Sequence, residues 1–154
     1  MRKFKMAALA AVLVVSLMGC GTKEEKPEVA IPEFSVEVVT AEETTTITNE
    51  TIEDLTIVNK DIVKKAKKGD KTNNWSGVSL VEALKEVGVT DAAELTIEAT
   101  DGYAVDYTAE ITEKALLTFE RDGEPLGEDG PTNTVVEGES AKMWMKNIAK
   151  ITVK

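Results

Sequence analysis

Residues 79–89, SLVEALKEVGV, restrict the fold more than any other stretch, because they carry a helical period between segments that alternate. Leu80, Ala83, Leu84 and Val87 recur on one helical face, Ser79 and Glu82 match a capping box, and Gly88 stands where a helix needs a left-handed stop. On both sides the period falls to two. Upstream, SVEVVTAEETTTIT (35–48) is rich in valine, threonine and isoleucine, as suits a half-solvated sheet. Downstream, Leu95, Ile97 and Ala99 alternate, Asp101-Gly102 supplies a two-residue turn, and Tyr103, Val105 and Tyr107 alternate again, which predicts a hairpin. ALLTFERDGEPL (115–126) predicts a strand running into an Asp-Gly turn, and NIAKITVK (147–154) a closing strand. The expected class is α+β: a β-rich mixed sheet with hairpins, covered by one clear amphipathic helix.

Two weaker signals lie between these blocks. TIEDL (51–55) predicts a short helical turn capped by Thr51, with Asp54 three residues on. DIVKKAKKGDK (61–71) predicts a charged strand entering a Gly69-Asp70 turn, its lysines forming a solvated edge that resists unwanted pairing.

The first residues speak to location. Arg2, Lys3 and Lys5 precede an uncharged, mostly apolar run from Met6 to Met18, the length of a signal-peptide core and too short to span a bilayer. Leu17-Met18-Gly19-Cys20 resembles the lipobox of bacterial lipoproteins, with Met18 a less usual choice; the alternative is a plain secretory signal with a cysteine at the cleavage point. The resemblance implies that Cys20 is acylated and anchors the chain in the lipid bilayer on the extracytoplasmic face of a bacterial cell membrane. The expected organisation is a signal peptide over 1–19, a flexible tether over 20–34 (charged, with Pro27 and Pro32), and a single domain over 35–154.

Removing residues 1–19 takes three of the eighteen basic residues and none of the twenty-eight acids, leaving a formal charge of −13. Such a surface repels phosphate backbones, so nucleic acid is not an expected partner; charge points to cations or a basic protein partner, or serves only solubility. The chain has no histidine and a single cysteine, which removes imidazole bases, Ser-His-Asp and Cys-His chemistry, typical zinc sites and internal disulfides. No catalytic and no metal-ligating residue is assigned. Asp122, Glu124, Glu128 and Asp129 in DGEPLGEDGPTNTVV (122–136) are oxygen donors, but the spacing is not that of an EF-hand and the stretch is read as turns leading into a strand.

Four segments, NNWSGVSLVEALKEVGV, LTIEATDGYAVDYTAEI, DGEPLGEDGPTNTVV and MWMKNIAKITV, resemble in order and spacing the molybdopterin-binding domain of sulfite-oxidase-type oxidoreductases. The resemblance covers residues 51–154 and implies that family's mixed α+β fold with a coiled sheet. It also implies a candidate pocket at Trp75, Gly77, Asp101, Gly102, Tyr103, Gly130, Pro131, Asn133, Trp144 and Lys146. For Trp75, Tyr103 and Trp144 packing in a core or rim competes with ligand contact, and Lys146 is either a solvated lysine or a point charge for an anionic ligand.

The catalytic features do not carry over. In the enzymes a cysteine upstream of the tryptophan-glycine segment ligates molybdenum, and residues 57–74 contain none; the basic residue that would help hold a cofactor phosphate falls near the uncharged Asn133. No cofactor is therefore expected, and molybdopterin enters by resemblance alone. The favoured reading is a non-catalytic module binding a small-molecule ligand or a partner. The alternatives are a molybdopterin-dependent oxidoreductase subunit and a structural or assembly lipoprotein.

Overall fold

The computed structural model describes residues 29–91 and 94–154; the expected signal segment, Cys20 and the first part of the tether lie outside the described residues. No helix among the described residues is long and apolar enough to cross a membrane.

One sheet contains β1 (Ser35–Val39), β2 (Thr44–Thr48), β5 (Leu95–Ala99), β6 (Ala104–Tyr107) and β10 (Ile148–Val153), in the order β2-β1-β10-β5-β6. The closing strand β10 lies at its centre, parallel to β1 and antiparallel to β5, so the sheet is mixed. The second sheet runs β3 (Val58–Lys64), β4 (Lys71–Ser79), β7 (Ala115–Arg121) and β8 (Glu124–Pro125), with β9 (Asn133–Val136) also paired to β7.

Helix α1 (Leu80–Glu86) follows β4 directly and buries Leu80, Ala83 and Leu84. Its expected capping box is half made. The Ser79 hydroxyl accepts the Glu82 N–H at 3.5 Å, whereas the Glu82 carboxylate turns to Lys85 at 2.9 Å. Gly88 takes φ 90° at the stop, as its lack of a β-carbon allows. A second helix, α2 (Ala109–Lys114), is capped by the Thr108 hydroxyl on the Ile111 N–H at 3.3 Å. At six residues it is too short to display an apolar period, and the sequence reading anticipated only α1. The helical turn expected at 51–55 is a set of turns instead, because Thr51 and Thr48 exchange side-chain to backbone hydrogen bonds and Thr51 caps nothing downstream.

Side-chain alternation gives the second sheet two apolar faces. Val78, Leu117, Phe119 and Val136 face the main core with Val36, Val38, Ile97 and Ile151 of the first sheet and the buried side of α1; Phe34, just before β1, joins them. Each large aliphatic side chain so buried stabilises the fold by about 1.5–3 kcal/mol before entropy is counted. On the opposite face Ile62, Trp75, Leu126 and Val135 form a smaller cluster flanked by Leu116 and Trp144. The cavity described next lies on that second face.

Candidate functional site

The period-two geometry of β4 puts Lys71, Asn73 and Trp75 on one side of the strand. Pairing brings the neighbours: Lys64 of β3 lies opposite Lys71, and Arg121 of β7 opposite Trp75. Asn133, Thr134 and Val135 come from β9, and Trp144, Met145 and Lys146 from the segment beside it, held by reciprocal backbone hydrogen bonds between Thr134 and Met145. Together these residues line a cavity of about 410 Å³.

Its walls are aromatic and its charge is positive. Trp75 and Trp144 meet edge to face with ring centroids 5.7 Å apart, and they are the only two tryptophans of the chain. The Lys64 ammonium stands 5.4 Å from the Trp144 ring centroid and the Arg121 guanidinium 5.8 Å from that of Trp75. Trp144 donates its indole N–H to the Val136 carbonyl at 2.9 Å, whereas the Trp75 N–H is buried with no acceptor.

Of the four cations, Arg121 and Lys146 share the carboxylate of Asp129, at 3.1 and 2.7 Å. The hydrogen bond from Lys146 holds the Asp129 carboxyl below the usual carboxylate range. Lys64 and Lys71 form no ion pair among the described residues. Burial lowers the Lys64 pKa, and the charges of Lys146, Lys71 and Arg121 lower it further against the opposing pull of Asp129.

Four of the residues expected at a pocket meet here: Trp75, Asn133, Trp144 and Lys146. The others sit elsewhere. Gly77 lies farther along β4, where the strand presses on the Leu117 and Thr118 backbone. Asp101, Gly102 and Tyr103 form the β5–β6 turn, with the Asp101 carboxylate accepting the Tyr103 N–H at 3.0 Å and the Tyr103 ring 54% exposed. Gly130, at φ 91°, packs on the Asn147 side chain, and Pro131 is exposed.

The stretch 122–136 is a set of turns leading into β9, as expected, and its Asn133, Thr134 and Val135 line the cavity. Asp122 accepts the Asn74 N–H and the Asn73 amide, and Asn133 Oδ1 accepts the Asn147 N–H at 3.0 Å. The expectation for the lysines of 61–71 is a solvated edge, but strand register turns Lys64 and Lys71 into the cavity, Lys64 half-buried. Arg121 carries no signal in the sequence. A signal for Lys64 was present: it is two residues from Ile62, and so shares a strand face with a residue that packs against Trp75.

The family model for the oxidoreductase molybdopterin binding domain matches residues 25–154. The chain belongs to this family. Among solved structures, the molybdopterin-binding-domain chain is similar to the sulfane dehydrogenase SoxCD from Paracoccus pantotrophus, with TM-score 0.66 and 19% identity over 82% of this chain. It spans only 39% of that chain, so the likeness is one of fold. Among curated proteins no match is found.

The cavity residues of this molybdopterin-binding domain fit one part of such a cofactor and not another. The cations suit an anionic group. The lining supplies no thiolate, imidazole or carboxylate to a metal ion, and among the described residues no three His, Cys, Asp or Glu side chains converge where one would sit. The donor set does not fit a protein-ligated molybdenum centre.

Proposed function

We propose that this molybdopterin-binding-family chain is a lipid-anchored, extracytoplasmic binding module, non-catalytic, whose cavity holds a small ligand. The observation that carries the reading is the mismatch within the cavity. The tryptophan walls and four cations are in place, while the lining offers no thiolate, imidazole or carboxylate. The lipobox-like Leu17-Met18-Gly19-Cys20 supports anchoring through Cys20.

The test is native mass spectrometry with metal analysis on protein solubilised from its own host's membranes, compared with the denatured mass. An excess mass without molybdenum supports a ligand-binding module, and an acylated Cys20 peptide supports the anchor. Pterin together with stoichiometric molybdenum overturns the non-catalytic reading. A bare chain overturns the small-ligand reading and leaves partner binding.

A further inference from the structure

We propose that the cavity is a receptor for a metal-free oxyanion carrying at least two negative charges. The inference rests on the binding-module reading above and names its ligand class.

The first ground is charge placement. Downstream of residue 19 the acids outnumber the bases by thirteen, yet four cations converge on one cavity. Elsewhere Lys60, Lys65, Lys85, Lys114, Lys150 and Lys154 each sit on a carboxylate, and the other lysines without an ion pair among the described residues, Lys67, Lys68 and Lys142, lie on the exposed surface. At the cavity a single carboxylate, Asp129, serves both Arg121 and Lys146, and Lys64 and Lys71 have none among the described residues. Lys64 is half-buried beside like charges, an arrangement that lowers stability until an anion enters.

The second ground is the balance of donors and acceptors. The Lys64 and Lys71 ammonium groups are unspent donors, with no ion pair among the described residues. Of the neighbouring acceptors, Asn133 Oδ1 is already engaged by the Asn147 N–H at 3.0 Å. Donors around an apolar wall select a ligand made of acceptors, as an oxyanion is. Two unpaired ammoniums set the charge at two or more.

The third ground is the disagreement with the family's metal chemistry. The segment 57–74 carries no cysteine and instead delivers Lys64 and Lys71 to the cavity. Ammonium groups repel a metal cation and attract an anion.

The experiment titrates the full-length, detergent-solubilised protein with inorganic pyrophosphate at low ionic strength, with chloride as control. Both tryptophans line the cavity, so intrinsic fluorescence reads occupancy directly. The expected result is saturable binding of pyrophosphate that weakens with added salt and weakens about tenfold or more in the Lys64→Gln/Lys71→Gln double variant. Lys85→Gln, on α1, leaves the titration unchanged, and far-UV circular dichroism verifies that each variant is folded. No saturable pyrophosphate binding, or binding that survives the double substitution, overturns the proposal. If native mass spectrometry then finds a neutral or cationic small molecule, the oxyanion class falls and the binding module stands. If it finds a bare chain, the oxyanion class and the small-ligand reading both fall and partner binding is left.

Discussion

Gly77 of β4 lies so close to Leu117 of β7 that a β-carbon on it would stand 2.1 Å from the Leu117 carbonyl oxygen. The register of the two strands shifts between Ser76 and Gly77, a bulge that brings the backbones together without a side chain between them. Gly77→Ala must therefore separate β4 from β7 or distort both. The expected loss is about 3 kcal/mol or more, seen as a lower urea midpoint, because overpacked backbone cannot yield as a flexible side chain would. A midpoint within error of the parent would contradict this contact.

How far the sequence reveals this molecule depends on whether a signal is local. Leu80, Ala83 and Leu84 announce α1 because a single turn-and-a-half already shows their period. Asp101-Gly102 marks the β5–β6 hairpin, although its connection spans residues 100–103 and takes Tyr103 out of the strand. Helix α2 is six residues and offers no period, only the Thr108 cap. The cavity is legible in part. Trp75, Asn133, Trp144 and Lys146 stand in segments whose order resembles the family, but Lys64 and Arg121 reach it through strand register, opposite Lys71 and Trp75, which no single segment encodes. Net charge misleads here: an average of −13 from residue 20 onward says nothing about four cations gathered at one place.

Trp144 links the cavity to the sheet through the hydrogen bond to the Val136 carbonyl. Trp144→Phe keeps an aromatic wall but removes the indole donor, leaving that carbonyl the longer hydrogen bond from the Glu139 N–H at 3.4 Å. It should lower stability by about 1 kcal/mol in thermal or urea unfolding. It should also weaken any ligand that depends on Lys64, whose ammonium rests over the Trp144 ring.

Tyr107 is buried, and its hydroxyl contacts the Thr134 hydroxyl and donates to the Met143 carbonyl. Burial raises its pKa well above the ordinary value, so the folded protein retains a proton that the unfolded chain gives up. The stability this supplies is complete below about pH 10 and declines as pH rises beyond it. Tyr107→Phe should cost about 1–3 kcal/mol at neutral pH and flatten the alkaline decline, measured by urea unfolding from pH 8 to 11. An unchanged alkaline slope would show that Tyr107 does not carry it.

Asp129 sets how much of the cavity's charge is available, since its two carboxylate oxygens hold Arg121 and Lys146. Asp129→Asn releases both cations. At neutral pH the lost ion pairs should lower stability by about 1 kcal/mol, both partners being exposed. The folded carboxyl titrates below its usual range, chiefly through the hydrogen bond from Lys146, so its contribution is present above the unfolded value near pH 4 and is lost as pH falls through the folded value. Parent and variant should therefore converge in stability under strongly acidic conditions. Binding should move in the opposite direction, because removing a negative charge strengthens the field on an incoming anion. Pyrophosphate should bind Asp129→Asn about threefold more tightly than the parent at low ionic strength, with the gain shrinking as salt rises. Weaker pyrophosphate binding in Asp129→Asn would mean that the carboxylate positions Arg121 and Lys146 for the ligand, and does not compete with it.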